Sequence, residues 1–365
     1  MTRYVLSLVA WLLLGSVCNA AAATMYATAA GAGGKTGVDW DNAFGAAELY
    51  DDIEDNSEAG DVYYVYSGTY TLGEPIAAGA RNGTAAAPIE IIGVDSTANE
   101  PPLATQWAAG SDRPLLEFVA NQFLLGDYWV LRNLRFTTAH ANGLMADDDN
   151  TVVNCKGQQT SGTVNYEVFT LDDFSWVFET EASGTNSNGF WIGRYSAVDR
   201  CYAHDCLNGF VAEKYSTFTG CVADTCTAAG VKLLNSHQSV TIANATIYGC
   251  AKGVSCSSAF HHLRLLNNIF STNTIGVELG GASVGHVVDY NNWHASGTPP
   301  VTNVTQGPNA TTHDPQFVNA AGGDFRLHVG TLCRRQGMPI TLGVGATRLT
   351  HQGAVPPVEL IRVPR

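Results

Sequence analysis

The sequence predicts an all-β chain: a single-domain right-handed parallel β-helix with an N-terminal capping helix and a C-terminal folded-back tail. Three observations predict it. The first is a period. Short units begin at Gly143, Val168, Gly189, Gly209, Gly230, Gly253 and Gly276. The apolar residues that follow, Leu144, Phe169, Phe190, Phe210, Val231, Val254 and Val277, are 25, 21, 20, 21, 23 and 23 residues apart. Such a period marks stacked supersecondary units, none able to bury its apolar face alone. The second is alternation within a unit, as in Phe190-x-Ile192 and Val277-x-Leu279, which makes the element a strand with one buried face. The third is a pair of columns. Cys155, Cys201, Cys221, Ala245, Asn268 and Asn291 fall in one register, and Cys206, Cys226, Cys250 and Asn273 in another. Parallel pairing sets equivalent positions about 4.8 Å apart, so these columns read as ladders. A leucine-rich horseshoe would show a leucine-and-asparagine consensus with helical residues in each repeat, and neither is present.

Taken in order, residues 1–23 read as a secretory signal. Arg3 supplies the basic start, residues 4–17 the apolar core, and the small residues up to Ala23 the cleavage region. The apolar run is shorter than the roughly 20 residues a membrane span needs. The expectation is a secreted, extracellular or cell-surface protein with no membrane span once the signal is removed. Residues 24–60 hold a strand at 25–28, a glycine-rich loop and a helix. Asp39 or Asp41 caps that helix, which runs to about Ile53 with Trp40, Phe44, Ala47 and Ile53 near one face. It serves to cover the open end of the solenoid. Residues 61–298 form the β-helix, with strands at 61–72, 87–93 and 115–119, two strands within 123–136 turning at Gly126-Asp127, and then the repeats. Residues 299–365 form a loop and a tail, in which 314–319 and 323–328 are the closing segment and the proline-punctuated end is an extended strand.

Three stretches share a cadence: Gly60-Asp-Val-Tyr-Tyr-Val-Tyr-Ser-Gly-Thr-Tyr70, Ala87-Pro-Ile-Glu-Ile-Ile-Gly93 and Gly126-Asp-Tyr-Trp-Val-Leu-Arg-Asn-Leu-Arg-Phe136. In them the chain resembles secreted proteins of the pectin-lyase-like, right-handed β-helix superfamily, and the likeness runs to about Trp293. The resemblance implies the fold. Members of that superfamily include polysaccharide lyases, glycoside hydrolases, epimerases, phage tailspikes, adhesins and non-catalytic surface proteins. Its hydrolases carry close aspartates with a downstream Gly-His and Arg-x-Lys, a set absent here. Its epimerases carry Asp-Pro-His-Asp, where this chain has only His313-Asp314-Pro315-Gln316. No catalytic residue is therefore carried over from any member family.

Composition narrows the partners. The net charge is −14 with five lysines, a poor footprint for nucleic acid or an anionic membrane. An acidic surface also repels a polyanionic sugar unless a cation bridges the two. Nine cysteines become eight without Cys18. The ladders Cys201–Cys221 and Cys206–Cys226–Cys250 suit disulfides in an exported protein and suit equally a stack of buried thiols.

The register also places a ridge. Just past each strand lies a pair: Asp147-Asp148, Asp172-Asp173, Gly193-Arg194, Glu213-Lys214 and Leu234-Asn235. Asp147, Asp172 and Glu213 offer oxygen ligands to a divalent cation such as calcium. Asp148 and Asp173 offer the carboxylate pair of glycoside hydrolysis, and Arg194 or Lys214 the base of an elimination. The same positions serve as solvated turn charges. Among the aromatics, Trp129, Trp176, Trp191 and Trp293 suit sugar rings where exposed, Trp191 best because it alternates with inward Phe190 and Ile192. His261-His262 fall in a strand over 259–266, where neighbours point to opposite faces and do not chelate one metal. His204 and Asp205 read as turn residues. The leading expectation is a non-catalytic secreted or surface protein presenting a rigid face to a polysaccharide or cell-surface glycan, or to copies of itself. It needs no cofactor, and calcium is compatible with it. The alternatives are a polysaccharide lyase or glycoside hydrolase acting at the ridge, and a phage or virion fibre component.

Overall fold

Each coil is built from three short strands because three turn points recur, and at each of them one residue takes a left-handed backbone. At the first stand Phe174, Tyr195 and Tyr215 (φ 59°, 60° and 64°), at the second Asn133, Asn154, Asn244 and Asn267, at the third Asp205, Thr225 and Thr272. Asparagine and aspartate tolerate this region because their short side chains bond locally. The computed structural model describes residues 22–334 apart from 73–75, 119–122, 140–141, 161–165, 235–238, 282 and 298–300. Residues 1–21 of the expected signal, Asn235 of the ridge and the end of the tail lie outside the described residues.

Strands pair in parallel with their equivalents one coil away, giving three long sheets. Sheet I has ten strands, sheet II eleven and sheet III ten. Sheet I includes Leu144–Ala146, Glu167–Leu171, Asn188–Ile192, Asn208–Ala212, Ala229–Leu233, Lys252–Cys256 and Ile275–Leu279. Its register runs Leu144–Phe169–Phe190–Phe210–Val231–Val254–Val277, the seven positions set out by the period. Inside, Phe169, Phe190 and Phe210 stack with centroids 5.2 Å apart at each step. Glycine precedes this column for a steric reason. A Cβ on Gly209 would lie 2.7 Å from the Gly230 carbonyl oxygen and 3.2 Å from Cys226 Sγ.

The two ladders stand where the sequence put them. All eight described cysteines are buried free thiols, so the columns are thiol stacks and not disulfides. Cys201 Sγ donates to the Asp199 carbonyl and Cys221 Sγ to that of Thr219, each at 3.5 Å. Burial pushes the Cys206 and Cys221 thiols up to about 12, which removes the reactive thiolate. Lower in the column asparagine takes over, Asn268 Nδ2 donating to the Ile242 carbonyl at 2.9 Å and to Asn291 Oδ1 at 3.0 Å.

Three expectations need correction. The helix does not begin at Asp39 or Asp41. Asp39 caps a single 3-10 turn, Trp40–Asn42, and Phe44 then exchanges backbone hydrogen bonds with Tyr26 and Thr28. Helix α1 starts only at Ala46 and runs to Asp55, burying Leu49 and Ile53 against the solenoid core. Residues 123–136 hold three strands, Phe123–Leu125, Trp129–Arg132 and Arg135–Thr138, because Tyr128 and Asn133 both turn the chain. The strand placed at 259–266 is a turn followed by Arg264–Leu266, with His262 left-handed.

The closing segment is an antiparallel hairpin, Phe317–Asn319 with Asp324–Leu327. Phe317 and Phe325 pack on Tyr248, and Phe325 reaches Tyr202. The chain thus folds back along the outer face of sheet III. Among the described residues no helix is long and apolar enough to cross a membrane.

Candidate functional site

The first turn of successive coils, between sheets I and II, forms the site. Parallel register stacks the ridge pairs into two rows. One runs Asp127, Asp148, Asp173, Arg194, Lys214. The other runs Gly126, Asp147, Asp172, Gly193, Glu213. Between them opens a groove of ≈ 340 Å³ lined by Asp148, Asp172, Asp173, Gly193, Arg194, Glu213 and Lys214.

The first row is tied together by its own carboxylates. Asp127 accepts the Asp148 N–H at 3.1 Å, Asp148 accepts the Asp173 N–H at 3.0 Å, and Asp173 accepts the Arg194 N–H at 2.7 Å. The Arg194 guanidinium closes on the other oxygen of Asp173 in an ion pair. Lys214 has no ion pair among the described residues and faces the groove with its charge uncommitted.

Proton affinity is raised at three of the ridge carboxyls, Asp147 and Asp172 in the second row and Asp148 in the first. Burial, then the charges of Asp147, Asp148, Asp173 and Glu213, push the Asp172 carboxyl above the usual aspartate range. Burial, then Asp127 and Asp148, raise Asp147. Asp148 is also raised by burial, against the Asp173 N–H that it accepts. Crowded carboxylates disfavour one another's ionisation. Gly193 sits between Asp172 and Glu213 and leaves the groove floor bare. A side chain there would strike the Asp172 backbone, its Cβ 2.8 Å from the carbonyl oxygen.

Seven of the ridge positions named from sequence, Lys214 among them, thus meet here; Asp147 lies beside them without lining the groove. Among the described residues no group of three or more His, Cys, Asp or Glu has the arrangement of a metal site. Trp191 does point outward from sheet I, half-buried, in register with Thr170 and Val211, yet it does not line the groove. Trp129 and Trp293 are core residues: Trp129 Nε1 donates to the Arg81 carbonyl at 2.8 Å, and Trp293 stacks on Phe270 at 4.3 Å. Trp176 is exposed. His204 belongs to a sheet III strand, Tyr202–His204, and its ring is held between two carboxylates, so it is not a turn residue.

The structure adds a feature the sequence reading missed. The residue after three of the ridge pairs is aromatic, and Phe174, Tyr195 and Tyr215 stack outside the solenoid with centroids 5.2 and 4.8 Å apart. All three are exposed (47%, 52% and 39%). A bulky residue at positive φ costs on the order of 1–3 kcal/mol, which the mutual stacking offsets only in part. The signal was present in the same register: Asp173-Phe174, Arg194-Tyr195, Lys214-Tyr215.

Comparison with known proteins bears on the fold. A family model described as "Right handed beta helix region" matches residues 123–317. The solved structure of pectate lyase Pel9A is similar over 91% of this chain and 96% of its own, at 13% identity and a TM-score of 0.55. ORF18 of Geobacillus virus E2 is similar over 79% of this chain and 60% of its own, at 12% identity and a TM-score of 0.50. A rhamnogalacturonan lyase gives 82% and 92% coverage, 12% identity and a TM-score of 0.48. No curated protein is a significant sequence match.

Proposed function

The chain belongs to the right-handed β-helix family, and from that premise we propose that it is a carbohydrate-active protein that hydrolyses a polysaccharide in the first-turn groove. The observation that carries this reading is the bare Gly193 position between Asp172 and Glu213 in one row. The two carboxylates stand two ladder steps apart, about 9.6 Å of backbone at about 4.8 Å per step. That is comparable with the roughly 6.5–9.5 Å at which paired carboxyl groups leave room for a water in inverting glycoside hydrolysis. Asp172, with its raised proton affinity, gives its proton to the glycosidic oxygen as the C–O bond breaks. Glu213 takes the proton of the water that attacks the anomeric carbon from the other side, and solvent resets both groups. Arg194 holds Asp173 in place, and Lys214 offers its N–H groups to sugar hydroxyls.

Charge favours a neutral glycan. The lining has four carboxylates against two cations, which disfavours a polyuronate and with it the elimination that uronates undergo. A second reading, a scaffold that binds glycan without cleaving it, is favoured by one observation: Asp148 and Asp173 each spend an oxygen on the next coil's backbone.

Release of reducing ends from a panel of neutral and acidic polysaccharides separates the two. Hydrolysis predicts cleavage by the wild type without an unsaturated, ultraviolet-absorbing product. It also predicts loss of about 10²–10⁴-fold in kcat for Asp172→Asn, with KM little changed, and activity that survives a calcium chelator. Binding with no cleavage supports the scaffold, and chelator-sensitive release of unsaturated ends supports a lyase.

A further inference from the structure

Sheet III carries a second ionised cluster, outside the groove. Glu181 is buried, and its Oε1 accepts from Lys156 Nζ of the preceding coil at 2.8 Å and meets His204 Nε2 of the next at 3.0 Å. The other ring nitrogen of His204, Nδ1, meets Asp205 Oδ2 at 2.8 Å. Ionised carboxylates only accept, so both ring nitrogens must donate and the ring is an imidazolium. Tyr202 stacks on that ring with centroids 4.7 Å apart and 27° between planes, and its Oη donates to buried Asp224 Oδ2 at 3.0 Å. The C-terminal hairpin rests on Tyr202. Phe325 meets its ring edge-on at 6.4 Å, and Gly323 lies so near that an added Cβ would be 3.1 Å from Oη.

We propose that His204 is a pH-operated latch for the C-terminal hairpin, seating it while the ring is an imidazolium and loosening it once the ring is neutral. Loss of one proton leaves a ring lone pair facing a carboxylate and ends the attraction of a cationic ring for the Tyr202 face. Tyr202 is then freer to turn, and the hairpin loses the surface under Gly323 and Phe325. The charged groups facing the ring are Glu181 and, beyond it, Lys156 and Arg113 from the preceding coils, Asp205 on the following turn and Asp224 from the next strand. The hairpin brings Asp324 and Arg326, paired with each other, and His328 near Asp324. Burial opposes the charge on His204, but the hydrogen bonds to Glu181 and Asp205 outweigh it and raise its pKa. The seated state therefore persists above the ordinary histidine range and is lost as pH rises through the raised value.

Hydrogen exchange of the full chain tests the latch, read as protection factors for residues 317–327 between about pH 6 and about pH 9, either side of histidine titration. The wild type should lose about tenfold of hairpin protection across this range, the scale of one charge-assisted hydrogen bond. In His204→Gln the hairpin should be poorly protected and insensitive to pH. Tyr202→Leu, which keeps the ion cluster but removes the stacked ring, should give the same flat profile while amides of the 202–204 strand stay protected. It decides the matter alone if His204→Gln does not fold. His328→Gln, the control for the hairpin's own histidine, should behave as wild type. A flat wild-type profile, or a fall that persists in Tyr202→Leu or disappears only in His328→Gln, overturns the proposal.

Discussion

Replacing Asn268 by alanine should destabilise the C-terminal coils by about 4 kcal/mol. Asn268 is fully buried and makes a bridge across three coils. Its Oδ1 accepts the Ala245 N–H at 2.8 Å, and its Nδ2 donates to the Ile242 carbonyl at 2.9 Å. Alanine orphans both groups in the buried interior. An unsatisfied buried group costs roughly 1–3 kcal/mol, so two give roughly 2–6 kcal/mol before any cavity term. Asn291 Oδ1 keeps the Asn268 N–H at 2.9 Å, so its loss is partial and is left out of that sum. Asn268→Asp is the informative control. It retains the acceptor for Ala245 but turns the second atom into an oxygen facing the Ile242 carbonyl and Asn291 Oδ1, so it should be no milder than alanine. Urea unfolding followed by far-ultraviolet circular dichroism measures both, a fall in midpoint at constant slope giving the loss. A change below about 1 kcal/mol for Asn268→Ala would refute the reasoning, because the orphaned N–H and C=O would then have found other partners.

Three more outcomes follow from the same geometry. Gly209→Ala should cost about 2 kcal/mol or more in urea midpoint, since its Cβ is 2.7 Å from a backbone oxygen that belongs to the next coil and cannot yield alone. The eight described thiols should be silent to a thiol reagent in the folded protein and react on unfolding without reductant, and reductant should leave the thermal midpoint unchanged. Thermal stability against pH should show a plateau with two flanks. Burial pushes the Glu181 carboxyl up, but His204 and Lys156 overcome it and hold it below the usual glutamate range, so its contribution is complete above that range and is lost as pH falls through the depressed value. The His204 contribution is complete below the ordinary histidine value and is lost as pH rises through the raised one. Glu181→Gln should flatten both flanks.

Much of the coil register was legible because burial in a solenoid repeats. Leu144 through Val277 sit in one column, so a single inward position is written seven times, and Cys155 through Asn291 likewise. The sheet III strands were harder to see. They span three residues, as in Tyr202–His204 and Val222–Asp224, and their inward residues are alanines, Ala203 and Ala223, which carry little hydrophobic signal. The groove was legible for the same reason as the core, since Asp148, Asp173, Arg194 and Lys214 occupy one turn position. The neighbouring row of Phe174, Tyr195 and Tyr215 was equally periodic but was not read, because bulky aromatics in a left-handed turn defy the usual turn chemistry. The start of α1 failed for a different reason. Asp39 is a true cap, but the pairing of Phe44 with the first strand, remote in its physical cause from the helix pattern, ends the turn it begins.

The most direct test of the proposed groove is a crystal structure of Asp172→Asn soaked with an oligosaccharide drawn from whichever polysaccharide the wild type cleaves or binds. The account predicts a sugar spanning Gly193, with a glycosidic oxygen within hydrogen-bond reach of residue 172, a water beside Glu213 and hydroxyls on Lys214. A sugar bound on the outer face of sheet I around Trp191, or on sheet III, with the first-turn groove empty, would contradict it.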